Sequence, residues 1–158
     1  MTPEQRQLLA EFKVMAGRAT SAPALMKEIV ERLHLKMPRY NWCGFYLVDP
    51  TDPNFLIVGP FSGSFTPHGR ITLSKGLCGA AAMEGKSVVV QDVSKDVRYL
   101  AGSNMVKSEM VVPIFAKKKL VAELDIESYF LETFTAMEQE FVEACAGVVQ
   151  QHAEAAGK

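Results

Sequence analysis

Apolar positions recur at helical spacing twice near the start of the chain and once near its end, and gather at strand spacing in between. Leu8, Leu9, Phe12 and Met15 fall on one helix face. Thr2, Pro3 and Gln5 provide a cap and first turn, and Gly17 a stop. A second stripe, Leu25, Met26, Ile29, Val30 and Leu33, starts near Ser21 with Pro23 in its first turn. It ends at Met37-Pro38, because a proline disfavours helix in the residue before it. Together they predict a helical segment over 3–36. A third helix is predicted over about 135–155, with Met137, Phe141, Cys145, Val148 and His152 as its stripe.

The middle of the chain reads differently. Trp42 to Val48 and Phe55 to Phe61 are rich in aromatic and β-branched residues and flank the turn cluster Asp49-Pro50-Thr51-Asp52-Pro53-Asn54. This predicts a β-hairpin. Glu109 to Phe115 and Leu120 to Ile126, joined by Lys117-Lys118-Lys119, predict a second, with the lysines in a solvated turn. Arg70 to Leu73 and Ser87 to Val90 are short strand candidates, and Ala80 to Glu84 a short helix ended by Gly85. Residues 92–107 are polar with little periodicity and predict a long loop with at most one short helix. The order implies one α+β domain over 1–158. A central antiparallel sheet and its pocket span 40–128. The terminal helices cover one face, and the middle loops close a pocket on the other.

Composition narrows the function classes. The 158 residues carry a formal net charge of −1, which supplies no bulk field for nucleic acid. No apolar run reaches the ~20 residues that span a bilayer. Met1-Thr2-Pro3-Glu4-Gln5 is not a basic region leading into an apolar stretch, so a cytoplasmic protein is expected. Three separated cysteines make no disulfide framework, and His34, His68 and His152 show no metal-ligand spacing with them. Neither a metal site nor a cofactor is expected.

The candidate chemistry lies in the strands and in one turn. Cys78, in Lys75-Gly76-Leu77-Cys78-Gly79-Ala80, stands at a tight turn opening a helix. The positive end of the helix dipole there favours a thiolate or a bound anion. Cys78 is therefore a candidate nucleophile, or else a small residue packed against a pocket wall. Trp42 and Tyr46 share a strand face, and Cys43 points the other way. Cys43 and Cys145 read as core, His68 as a solvated loop residue. Glu109, Asp125 and Glu127 interrupt apolar strands, where an acid is costly unless exposed or paired with a cation. They form either a solvent-facing acidic strip or a cation-holding pocket.

These segments resemble GAF domains, and more closely the free methionine-(R)-sulfoxide reductases, which are single-domain GAF enzymes. Asn41-Trp42-Cys43-Gly44-Phe45-Tyr46, Gly59-Pro60-Phe61-Ser62-Gly63, Gly76-Leu77-Cys78-Gly79, Ser108-Glu109-Met110-Val111-Val112-Pro113 and Leu124-Asp125-Ile126-Glu127-Ser128 carry the resemblance, in order, over about 40–145. It implies a GAF-like fold and a ligand pocket using Trp42, Tyr46, Glu109, Asp125 and Glu127, with Glu127 standing where the family has Asp. It also implies that the attacking cysteine belongs where this chain has Gly102, and the recycling cysteine near Ser64 to Gly69, which holds no thiol. Sulfoxide reduction needs a thiolate to take the oxygen as a sulfenic acid and a second thiol to resolve it.

The expectation is a binder of a small zwitterionic or cationic ligand of the methionine sulfoxide type, without efficient reductase activity. One alternative is an active reductase using Cys78 with thioredoxin or another external thiol. The other is a ligand-free interaction module. Leu8, Phe12, Phe141 and Val148 on the terminal helices suggest a homodimer.

Overall fold

The computed structural model describes residues 1–65 and 67–156, so Thr66 of the thiol-free loop and the last two residues of the expected domain lie outside the described residues. Its elements follow the chain as α1 (Pro3–Arg18), α2 (Ala22–Lys36), β1 (Trp42–Val48), β2 (Phe55–Gly63), β3 (Arg70–Thr72), α3 (Gly76–Glu84), β4 (Val88–Val90), a 3-10 turn (Val93–Lys95), β5 (Ser108–Ala116), β6 (Lys119–Ser128) and α4 (Ala136–Ala156).

The predicted caps are present. The Gln5 amide donates to the Thr2 hydroxyl (3.1 Å) while the Thr2 amide donates to Gln5 Oε1 (2.9 Å), a reciprocal capping box. The Ala24 amide donates to Ser21 Oγ (3.2 Å) at the start of α2. Asp49 organises the first hairpin turn, accepting from the Thr51 amide (2.8 Å) and hydroxyl (2.7 Å) and from Arg70 Nε (3.0 Å). Lys117 and Lys118 make the second turn with φ of 51° and 66°, the left-handed conformation that a two-residue hairpin requires.

The strands form one antiparallel sheet in the order β3-β2-β1-β6-β5-β4, which brings the two hairpins together through β1 and β6. Alternation along the strands then builds two cores. One face sends Cys43, Phe45, Met110, Val112, Ile114, Ala122, Leu124 and Ile126 against α1, α2 and α4. The other face meets α3 and the loops through a smaller cluster containing Trp42, Tyr46, Leu56, Leu77, Cys78, Val88 and Val111. The expected α+β architecture is thus present.

Two details correct the sequence reading. Met137, expected on the α4 stripe, is 45% exposed. The inward place in that turn belongs to Glu138, which accepts from the Tyr40 hydroxyl (3.2 Å) and from Gln5 Nε2. Leu8, Phe12, Phe141 and Val148, expected to leave room for a dimer interface, are all buried in the chain's own core and present no surface to a second copy.

Gly147 is exposed within α4, with nothing within 4 Å of where a Cβ would stand. Gly147→Ala is therefore expected to stabilise the protein by about 0.5–1 kcal/mol, since glycine loses the most backbone entropy in a helix. Thermal unfolding checks it, and a lowered Tm would contradict the open surroundings.

Candidate functional site

The alternation that points Ala122, Leu124 and Ile126 of β6 toward the helices points Glu123, Asp125 and Glu127 to the opposite face. Pairing decides their neighbours. On one side β1 sets Trp42 opposite Glu127, Gly44 opposite Asp125 and Tyr46 opposite Glu123. On the other, Glu109 of β5 lies opposite Glu127. Four carboxyls and two aromatics thus share the centre of one sheet face, and α3 crosses it carrying Cys78 as its third residue.

Glu109, Asp125 and Glu127 line a cavity together with Tyr46, Cys78 and Gly102. Phe65 and Leu100, from the loops on either side, line it as well, together with the exposed Lys75 and His68. The Tyr46 hydroxyl donates to the His68 carbonyl (3.3 Å), and His68 Nε2 lies 2.8 Å from the Ala101 carbonyl, so the two loops are tied across the opening. The cavity holds about 30 Å³, room for water and not for an amino acid. A ligand of amino-acid size enters only if these loops separate.

Trp42 is wholly buried and does not line the cavity. Its ring is flanked by Phe61 and Phe65, each with centroids 5.7 Å away and planes 18° apart. The indole N–H has no acceptor. A Cβ on Gly44 would come within 2.2 Å of the indole, and one on Gly63 within 2.4 Å, so both positions are glycine because the ring lies flat on them.

Charge dominates the site. Glu109, Glu123, Asp125 and Glu127 are at most 5% exposed, and the ion pairs among the described residues involve none of them. Burial raises all four toward the protonated state. Asp125 is pushed up to about 6 and held there by hydrogen bonds from Glu109 and Glu127, whose own carboxyls burial and Asp125 push well above the usual carboxylate range. Burial, then Asp125, pushes Glu123 up to about 9, with the Cys78 thiol acting weakly the other way. Both Glu123 carboxyl oxygens and Asp125 Oδ1 have no hydrogen-bond partner.

The same surroundings bear on the two readings of Cys78, nucleophile or packed wall residue. It does sit at a helix N-terminus, but burial first, and then Asp125, Glu123, Glu109 and Glu127, push its thiol well above the ordinary range. A helix dipole is worth roughly 0.3–1 kcal/mol near the surface, which four buried acids outweigh. Cys43 and Cys145 lie in the helix-side core, as read from the sequence.

Sequence reasoning missed Glu123, because it lies just outside the Leu124-Asp125-Ile126-Glu127-Ser128 segment that carries the family resemblance. The signal was its parity: it lies two before Asp125 and four before Glu127. The spacing of cysteines and histidines also gave no hint that Cys78, Glu109 and Asp125 converge, with one donor atom from each within 4.8 Å of the others.

Comparison with known proteins bears on the family and the fold. The sequence model of the GAF domain matches residues 21–152. The free methionine-R-sulfoxide reductase of Saccharomyces cerevisiae is 36% identical over 112 residues, 70% of this chain and 62% of the relative, so the chain spans under two thirds of that protein's length. The Escherichia coli enzyme of the same description is 29% identical over 125 residues, 79% of this chain and 73% of its own. The X-ray structure of free methionine-R-sulfoxide reductase from Neisseria meningitidis in complex with its substrate superposes with a TM-score of 0.89 at 28% identity, covering 98% of this chain and 92% of that one. No helix among the described residues is long and apolar enough to cross a membrane.

Proposed function

Since the chain belongs to the GAF domain family and closely resembles free methionine-R-sulfoxide reductases, we propose that it binds a small zwitterionic or cationic ligand of the amino-acid type without efficient sulfoxide reduction. One observation carries the reading: four carboxyls are buried on the cavity side of the sheet with no cation to balance them among the described residues. An ammonium group would supply that balance and satisfy the free Asp125 oxygen. The exposed Lys75 and His68 that line the cavity suit a ligand carboxylate. Tyr46 contributes an aromatic wall, and Trp42, in the same buried cluster, supports that wall from outside the cavity. Three free thiols accord with a reducing compartment, and we place the protein in the cytoplasm.

The missing chemistry is a thiolate. Gly102 lines the cavity where the family resemblance puts the attacking cysteine, and the Cys78 environment disfavours ionisation. That Cys78 itself lines the cavity favours the second reading, reduction by Cys78 with an external thiol. Cys78→Ser would then abolish turnover. The small cavity volume favours a ligand-free module, but such a module has no use for four destabilising buried acids.

Calorimetric titration of metal-free protein with methionine, its two sulfoxides and cationic amino acids tests the proposal. Saturable binding of one of them is expected, weakened about tenfold to a hundredfold by Asp125→Asn, since a hydrogen bond to a charged group is worth about 1.5–3 kcal/mol. Gly102→Cys, whose Cβ would meet only the flexible Phe65 ring at 3.0 Å, is expected to gain turnover of free methionine-(R)-sulfoxide. Efficient thioredoxin-coupled turnover by the unmodified protein would overturn the proposal.

A further inference from the structure

The geometry points to a second occupant of this sheet face: a thiophilic divalent ion of the zinc class, held by Cys78 Sγ and one carboxylate oxygen each from Glu109 and Asp125. The three donor atoms lie within 4.8 Å of one another, and all three residues are buried. A tetrahedral zinc ion, with bonds of about 2.0–2.3 Å, sets its donors about 3.5 Å apart. Small rotations of the two carboxyls close that difference, because the donors come from three separate elements, α3, β5 and β6.

An acidic cluster alone would not justify an ion. Here Asp125 Oδ1 is unpartnered on a residue that is 2% exposed and lines the cavity. Glu123, wholly buried, has two unpartnered oxygens and approaches Cys78. These are acceptors removed from water and given nothing to accept from, which destabilises the metal-free site. A divalent ion bonded to Asp125 relieves that oxygen, and the thiolate it creates accepts a hydrogen bond from a Glu123 carboxyl that keeps its proton. On entry the thiol and the two ligating carboxyls release any protons they hold to solvent, as metal binding at such ligands requires. Glu123 then acts as a positioning residue for the sulfur, and the coordination place left open faces the cavity.

Donor chemistry selects the ion. Magnesium and calcium take all-oxygen sites of six or more ligands, whereas one thiolate with two carboxylates suits zinc, cobalt or ferrous iron. The inference does not depend on an amino acid entering the pocket. The ion and a ligand ammonium would compete for Glu109 and Asp125.

Cobalt(II) titration of the chelator-stripped full chain, followed by absorbance and calorimetry, tests the site. One ion per chain is expected, with a near-ultraviolet thiolate-to-cobalt charge-transfer band, displaced by zinc. Cys78→Ser should remove that band, and Glu123→Leu, which leaves the sulfur without its donor, should weaken the affinity about tenfold, as loss of a supporting group around a metal ligand does. Absence of saturable binding, or binding without the charge-transfer band, would overturn the site, and the unmodified protein alone decides this if a variant misfolds. A band that survives in Cys78→Ser would overturn it equally.

Discussion

Replacing Glu123 with glutamine is expected to stabilise the metal-free protein by about 3 kcal/mol at pH 8 and to give no gain at pH 4. Burial and Asp125 push the Glu123 carboxyl up to about 9 in the folded protein. Unfolded, it titrates near 4.3. A carboxyl raised on folding contributes stability that is fully present below the unfolded value and is lost as pH rises toward the folded one. Between the two values, each pH unit removes about 1.4 kcal/mol. By pH 8 that loss approaches about 5 kcal/mol. A buried carboxamide without partners returns roughly 1–3 kcal/mol as a cost of its own, which leaves a net gain near 3 kcal/mol. Urea unfolding from pH 4 to pH 8 checks it. The unmodified protein should lose stability with pH more steeply than the variant, which keeps only the slope from Glu109, Asp125 and Glu127. Parallel curves would show that Glu123 is ionised in the folded state.

Gly44→Ala is expected to cost about 3 kcal/mol. The new Cβ would stand 2.2 Å from Cη2, 2.6 Å from Cζ3 and 2.9 Å from Cζ2 of Trp42, so the indole must leave its place. It has nowhere to go: Phe61 and Phe65 stack on it, and the Gly63 position is as tight beneath its other ring, at 2.4 Å from Cδ1. Overpacking of this kind costs typically about 1–3 kcal/mol, and a rigid aromatic obstacle places it at the upper end. The cause is tested by a double-mutant cycle. In a Trp42→Ala background the penalty of Gly44→Ala should vanish, because the clashing atoms are gone. An undiminished penalty would trace the effect to the backbone instead of the ring.

These two positions show how unevenly the molecule can be read from its chain. The helices and both hairpins are legible, because 3.6-residue and two-residue periods are local and the capping residues Thr2, Gln5 and Ser21 lie next to what they cap. Asp125 and Glu127 stand out because acids inside an apolar strand are visible locally. Glu123 is as local a signal, but it falls just before the Leu124-Asp125-Ile126-Glu127-Ser128 segment that carries the family resemblance, and so receives no implied role. Gly44 reads as a weak strand residue until the Trp42 ring is seen to lie across it. Met137 matches the helical stripe of α4, yet Tyr40 and Gln5, about 100 and 130 residues away, turn that end of the helix toward Glu138.

By itself the sequence determined the elements, their order, and which residues of each strand share a face, because these depend on neighbours within a few positions. It also marked the segments, from Trp42 to Glu127, that belong to the pocket side. Only the tertiary structure decided what those residues are chemically. A carboxyl or thiol takes its charge from the dielectric and the charges around it, and here these come from β1, α3, β5 and β6 together. Helix position alone made Cys78 no more than a candidate thiolate. The four acids folded around it make it a protonated thiol, or, with an ion present, a ligand.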